Sequence, residues 1–160
     1  MSTKYFPNLD KNEIELILKE EDTGYLCLSK NDIPYGVPVS YAFIGNKIVV
    51  HCALTGKKLD IMRSNSQVCF IVSRNLDKIK PHLPDNKCNY KFESVICFGK
   101  AEIINDVNER FKYLNLFRTY FYERLGIDNS QDPVTIQSAE RCGVFIIHIN
   151  EITGRRKGDL

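Results

Sequence analysis

Between Ile48 and Asn65 the chain reads IVVHCALTGKKLDIMRSN, which puts a histidine, a cysteine, a hydroxyl, a glycine and two lysines within a short span. Such side chains could ligate a metal, form a nucleophilic Cys/His pair or cradle an anion. His51 and Cys52 are adjacent, and neighbours on a strand point to opposite faces, so the two cannot share an ion or act as a pair. His82 and His148 stand at no ligand spacing that would support them, although Cys52 could meet a distant histidine in the fold. Cys52 otherwise reads as a small buried hydrophobe, and His51 as either a site residue or a polar residue at a strand end. Thr55-Gly56-Lys57-Lys58 joins a hydroxyl, a flexible backbone and two cations at an expected helix start, where N–H groups and the helix dipole favour an anion. It is not a P-loop, because the upstream glycine is missing and Lys58 is followed by Leu59. By itself TGKK also fits a solvated lysine pair opening a surface helix.

These residues need a scaffold. Asp10 followed by Glu13 forms a capping box, and Ile14, Leu16, Ile17 and Leu18 give an opening helix its apolar face, with Gly24 ending that region. YLCLS is a strand. VPVSYAFI is a second, in which Val37, Val39, Tyr41 and Phe43 share one face. Pro38 has no N–H for a ladder, so this strand lies at an edge or beside something other than a strand. Gly45-Asn46 has the length and residue types of a two-residue hairpin, so the second strand is expected to pair with Lys47 to Cys52.

Leu59, Ile61 and Met62 fit a short helix from about Lys57 to Ser64, and the nearly continuous apolar run QVCFIVSR is a central strand. NLDKIKPHLPDNKCNYKFE reads as a long exposed excursion. SVICFGKAEII is a long strand in which Gly99 marks a bulge or a close approach. Phe111, Leu114, Phe117, Phe121 and Leu125 lie at helical spacing on the principal helix, which ends at Gly126. GVFIIHINEITG is the last strand, and the basic end RRKGDL reads as loose. Six or so strands, mostly in meander order, with one main helix late in the chain predict a mainly β (α+β) antiparallel barrel with a few helices, not a doubly wound sheet.

Composition bounds the function. With 160 residues and 43% hydrophobic, the chain can bury one good core, which implies a single domain over 1–160, its core at 10–156 and a loose tail at 157–160. Lys and Arg number 22 against 20 acidic residues, so no large field draws the molecule to nucleic acid or membrane, and any anion site must be local. The basic end and the aromatic helix invite a nucleic-acid reading, but the apolar spacing of those aromatics argues for core packing. Cys27, Cys52, Cys69, Cys88, Cys97 and Cys142 are too dispersed for a CxxC pair and read as small buried hydrophobes in a reducing compartment. No signal-peptide h-region and no apolar run near 18 residues is present, which implies a soluble cytoplasmic protein.

Taken together, GYLCLS, VPVSYAFIGNKIVVHCALTGKKLDIMRSNSQVCFIV, ESVICFGKAEII and EITGRR resemble the flavin-binding split-barrel proteins related to pyridoxamine 5'-phosphate oxidase, over roughly residues 10–156. The order PVSYAF, a Gly-containing hairpin, HCA, GKK and Asn65 is most similar to the nitroimidazole-resistance (Nim) branch. The resemblance implies an FMN-binding split β-barrel, less often an FAD-binding one, that forms a homodimer with flavin at the subunit interface. It implies that Lys57 and Lys58 take the flavin phosphate with Thr55 and Gly56. Pro38, Val39, Ser40 and Tyr41 would run along the ring, and His51, Cys52 and Ala53 would complete the ring and ribityl contacts. Ser94, Arg155 and Arg156 would come from the second subunit. It further implies an oxidoreductase acting on a small planar acceptor such as a nitroaromatic, with His51 as catalytic proton donor and NAD(P)H docking transiently, since no GxGxxG is present. The alternative is a protein that stores or senses flavin, or haem, without turnover. Trp is absent and the oxidase's C-terminal extension has no counterpart, so pyridoxamine phosphate oxidation is not expected.

Overall fold

The computed structural model describes residues 8–75 and 91–157. Helix α1 (Lys11–Glu20) opens on the expected capping box: the Asp10 carboxylate accepts the Glu13 N–H at 2.9 Å, and the Glu13 carboxylate accepts the Asp10 N–H at 2.8 Å. Ile14, Ile17 and Leu18 bury, whereas Leu16 faces solvent. Strand β1 (Thr23–Lys30) follows, and Gly24 lies inside it rather than ending the helical region. Its missing side chain makes room for the Phe70 ring, since a Cβ there would stand 2.2 Å from a ring carbon. Asn31 and Asp32, at φ 51° and 61°, turn the chain into β2 (Ile33–Ser40). Both residues tolerate the left-handed region that a tight hairpin needs.

The second apolar run is not one strand, which corrects the expected pairing. Its first part, Val37 to Ser40, belongs to β2, which pairs with β1, and only β3 (Ala42–Ile44) pairs with β4 (Lys47–Cys52) across the expected Gly45-Asn46 hairpin. Tyr41 is the cause. Its side chain is fully buried, its hydroxyl donates to the Leu18 carbonyl at 3.0 Å, its ring meets Phe70 edge-on, and its N–H donates to Asp22 O at 3.0 Å. Pinned there, the chain passes from one end of the sheet to the other.

The remaining elements are α2 (Lys57–Ser64), β5 (Gln67–Asn75), β6 (Phe92–Ile104), α3 (Val107–Leu125), a short 3-10 turn at Asn129–Gln131, α4 (Ile136–Arg141) and β7 (Gly143–Lys157). The strands form one antiparallel sheet in the order β2-β1-β5-β6-β7-β4-β3. Pro38 therefore sits on an edge strand, where its missing donor costs no ladder bond. One core cluster draws residues from every strand, among them Val37, Phe43, Val50, Phe70, Val95 and Phe145, so the sheet must curl around it. The result is the expected mainly β barrel, left open between its edge strands. On the other face of β4 and β7, Val49, Val144 and Ile146 pack with Ile104 and Leu114 beneath α3.

Gly99 fulfils both expectations at once: the β6–β7 register shifts between Phe98 and Gly99, and a Cβ on Gly99 would lie 2.1 Å from His148 O. Helix α3 ends at Gly126 with φ 65° as expected, but Leu125 is exposed. The basic end is corrected too. Arg155, Arg156 and Lys157 belong to β7 and pair with Ser94, Glu93 and Phe92, so they are not a loose tail. Of the expected excursion, Asn75, Phe92 and Glu93 lie in strands. His82, Cys88 and residues 158–160 lie outside the described residues. Cys97 alone of the described cysteines is fully buried; Cys27, Cys52, Cys69 and Cys142 are half-buried.

Candidate functional site

His51 and Cys52 leave the end of β4 in opposite directions, as strand alternation requires. Cys52 packs against the main core. Burial pushes its thiol up despite the nearby Lys58 cation. His51 is exposed, but its ring stands edge-on to Phe117 of α3, centroids 4.7 Å apart and planes at 86°. Desolvation by these surroundings holds the imidazolium below the ordinary histidine range. The thiol near His51 is that of Cys142, which sequence reasoning missed because nothing in its spacing signals the contact. Its Sγ lies 3.9 Å from His51 Nδ1 and 3.5 Å from the Cys52 carbonyl. Burial pushes this thiol up as well, against the Cys52 backbone and Arg110, so it is a poor nucleophile at neutral pH. Among the described residues no three His, Cys, Asp or Glu side chains converge on one point.

Ala53 to Lys57 form an exposed corner leading to α2, and Lys58 is half-buried. Gly56 occupies the N-cap at φ 134°, and no side chain caps this helix. By contrast Asp10, Asp106 and Thr135 cap α1, α3 and α4. The first internal bonds of α2 run from the N–H groups of Leu59 and Asp60 to the Gly56 carbonyl at 2.9 and 3.1 Å. The N–H groups of Lys57 and Lys58 precede them and are of the kind that binds an anion at a helix start. Lys57 Nζ sits 4.8 Å from the ring centroid of Tyr35, which ties the start of α2 to β2. Tyr35 is a second residue missed from sequence, because the expected second strand starts only at Val37 whereas β2 starts at Ile33.

Along β2, Pro38 and Ser40 point outward and are exposed, while Val39 packs inward. Tyr41 offers only its backbone, because its ring and hydroxyl lie in the core, where burial pushes the phenol up. Chain folding thus brings together the outer edge of β2, the end of β4 and the uncapped start of α2. It does not bring Ser94, Arg155 or Arg156 to them within one chain. His51 is opposite Val144, and Val144 and Arg155 stand roughly 35 Å apart along β7 at about 3.3 Å per residue. Arg156 is moreover engaged: its Nε donates to Glu93 Oε1 at 2.6 Å and its guanidinium to Glu13 at 2.7 Å.

The whole arrangement is similar to that of known proteins. A family model described as pyridoxamine 5'-phosphate oxidase matches residues 10–156. An uncharacterized protein of Rhizobium meliloti (strain 1021) is 25% identical over 154 residues, covering 92% of each chain. A structure from Bacteroides thetaiotaomicron, described as a candidate 5-nitroimidazole antibiotic resistance protein, superimposes with TM-score 0.78 at 21% identity, over 94% of this chain and 87% of that one. An FAD and haem binding protein of Mycobacterium smegmatis does so with TM-score 0.79 at 13% identity, over 94% of this chain and 72% of the other. At such identities the two structures establish a shared split-barrel fold.

Proposed function

The chain belongs to the pyridoxamine 5'-phosphate oxidase family, and from that premise we propose that it is a flavin-binding oxidoreductase of the nitroimidazole-resistance type. The observation that carries the proposal is the uncapped, doubly basic start of α2 beside the exposed outer edge of β2. The residues present fit the group. Lys57 and Lys58, with the Thr55 hydroxyl and the Gly56 backbone, suit a phosphate ester, and Gly56 leaves open space where a side chain would stand. Pro38, Val39, Ser40 and the Tyr41 backbone would line the ring, with His51, Cys52 and Ala53 at its other border. Pro38, lacking an N–H, presents an apolar edge there without leaving a donor unpaired.

A bound FMN or FAD would supply electron and hydride exchange with a small planar acceptor such as a nitroaromatic, with NAD(P)H as transient reductant. The chain's own part is to orient and to manage a proton. His51, held neutral at pH 7 by its desolvated setting, carries one ring proton and donates it as a hydrogen bond. As a charged acid it acts only at lower pH. Phe117 keeps water from one edge of that ring.

A homodimer completes the proposal, since Ser94 and Arg155 reach such a cleft only from a second copy. Tyr25 and Pro38, register neighbours on the outer face, are both exposed and give that copy apolar surface. A cytoplasmic location is part of the same reading; no helix among the described residues is long and apolar enough to cross a membrane.

The test is reduction followed by reoxidation. Purified protein loaded with flavin should be bleached by NADH or NADPH and restored by a nitro compound. A flavin that stays oxidised under both would overturn the oxidoreductase reading and leave a storage or sensing protein. That second reading is favoured by the M. smegmatis protein, whose description names FAD and haem. In this chain His148 is engaged with Glu102 at 2.7 Å, so a haem would fall to His51.

A further inference from the structure

The β1–β2 hairpin carries one side of the candidate site, and it is joined to the rest of the sheet by a narrow seam. Tyr25, Leu26 and Cys27 of β1 stand opposite Ile71, Phe70 and Cys69 of β5, and the ladder between these two strands goes no further. The hairpin itself is paired from end to end, and β5 is paired over its whole length with β6. One of the seam's few pairs is therefore two cysteines facing each other.

Directly opposed residues of an antiparallel ladder have Cα atoms about 4.5 or 5.5 Å apart. Both separations fall within the span of about 4.4–6.8 Å that a disulfide accepts. The side chains share the outer face of the sheet, where the Cys27 thiol donates weakly to the Tyr25 carbonyl at 3.9 Å. Both are free and half-buried. With Ser29, Gln67 and Phe98 they line a groove open to solvent. Opposition in register, a shared face and, in the free protomer, access for a small oxidant coincide here.

We propose that Cys27 and Cys69 are a dithiol–disulfide pair, a redox-sensitive modification site that clamps the β1–β5 seam and steadies the hairpin bearing Pro38 and Ser40. The oxidant is a low-molecular-weight disulfide such as oxidised glutathione. One thiolate of the pair attacks a glutathione sulfur and releases a first glutathione thiolate, leaving a mixed disulfide on the protein. The second cysteine, once deprotonated, attacks the protein-bound sulfur and releases the other glutathione. Two protein thiols thereby lose two electrons and two protons, and one glutathione disulfide becomes two thiols. Burial and the adjacent Cys27 hold the Cys69 thiol above its ordinary range, so bridging quickens as pH rises. The proposal does not rest on the flavin reading.

The test is a disulfide map of the full chain, reduced, diluted so that a second copy covers this face least, and then exposed to oxidised glutathione. After alkylation and digestion, the expected product is a peptide pair joined through Cys27 and Cys69, lighter by two hydrogens and reversed by dithiothreitol. The oxidised protein should melt several degrees higher than the reduced one, because a cross-link over this loop restricts the unfolded chain. Cys27→Ser or Cys69→Ala should abolish that rise. Full alkylation of both residues after oxidation, or their bridging to other cysteines or other molecules, would overturn the proposal. The map on the unaltered chain decides even if neither variant folds.

Discussion

At the scale of single residues, the decisive contrast is between Lys57 and Lys58 at an uncapped helix start and His51, exposed but partly desolvated against Phe117. If the lysines hold a phosphate, Lys57→Ala combined with Lys58→Ala should weaken FMN or FAD binding by about a hundredfold or more. Each charge-assisted contact is worth roughly 1.5–3 kcal/mol. Titration of apoprotein with flavin, with circular dichroism to confirm the fold, checks this. For His51 the sign follows from its lowered value. The folded state disfavours the imidazolium, so the stability contribution is complete above the unfolded value of about 6.5 and is lost as pH falls through the folded value. An NMR titration should show His51 losing its proton below the ordinary range, and Phe117→Ala should move the transition back up. No change in that variant would refute the account of why His51 is neutral. These side chains were legible as chemistry in the sequence, but their neighbours were not. Phe117 and Cys142 reach His51, and Tyr35 reaches Lys57, only through pairings that no local spacing encodes.

Elements show a similar division between local and distant signals. The Asp10–Glu13 box, the Gly45-Asn46 hairpin, the span of α2 and the Gly126 cap were all readable, because each is set by residues a few positions apart. The break at Tyr41 was not, because it depends on Leu18 and Phe70 far along the chain. Nor was the extension of β7 through Lys157, which depends on a buried acid. Glu93 is inaccessible to solvent and takes hydrogen bonds from Arg74 and Arg156, each at 2.6 Å. Arg156 goes on to Glu13, and Arg74 to Glu20. The network thus ties α1 to β5, β6 and β7. Burial alone would raise the Glu93 carboxyl, but the two guanidinium groups outweigh it and hold it below the carboxylate range. Its stabilisation is therefore present above the unfolded value of about 4.3 and is lost as pH falls through the folded value. Glu93→Gln should cost about 3–5 kcal/mol by leaving two guanidinium groups without their shared partner. It should also flatten the acid limb of stability between about pH 4.3 and lower values. Urea unfolding across pH measures both, and an unchanged midpoint would show that the network does not hold the strand ends together.

For the whole molecule, the curled sheet gathers the outer edge of β2, the end of β4 and the start of α2, and places Ser94 of β6 and Arg155 of β7 far along the sheet from His51. In the proposed dimer these two residues come to the site from the second copy. Sedimentation should accordingly give a dimer, and Tyr25→Glu, which puts a charge on the exposed outer face, should shift it towards monomer and weaken flavin retention together. Loss of one without the other would separate the dimer from the site. The curl was legible in the sequence only as a strand count and a late helix, because the strand order brings β7 between β6 and β4 over long separations that no local pattern records. The central claim, that this cleft holds a flavin, is tested most directly by the visible absorption spectrum of the purified protein with release and mass analysis of whatever it carries. A yellow protein yielding FMN or FAD is the expected result. A colourless protein that also fails to bind either flavin when it is added would contradict the account.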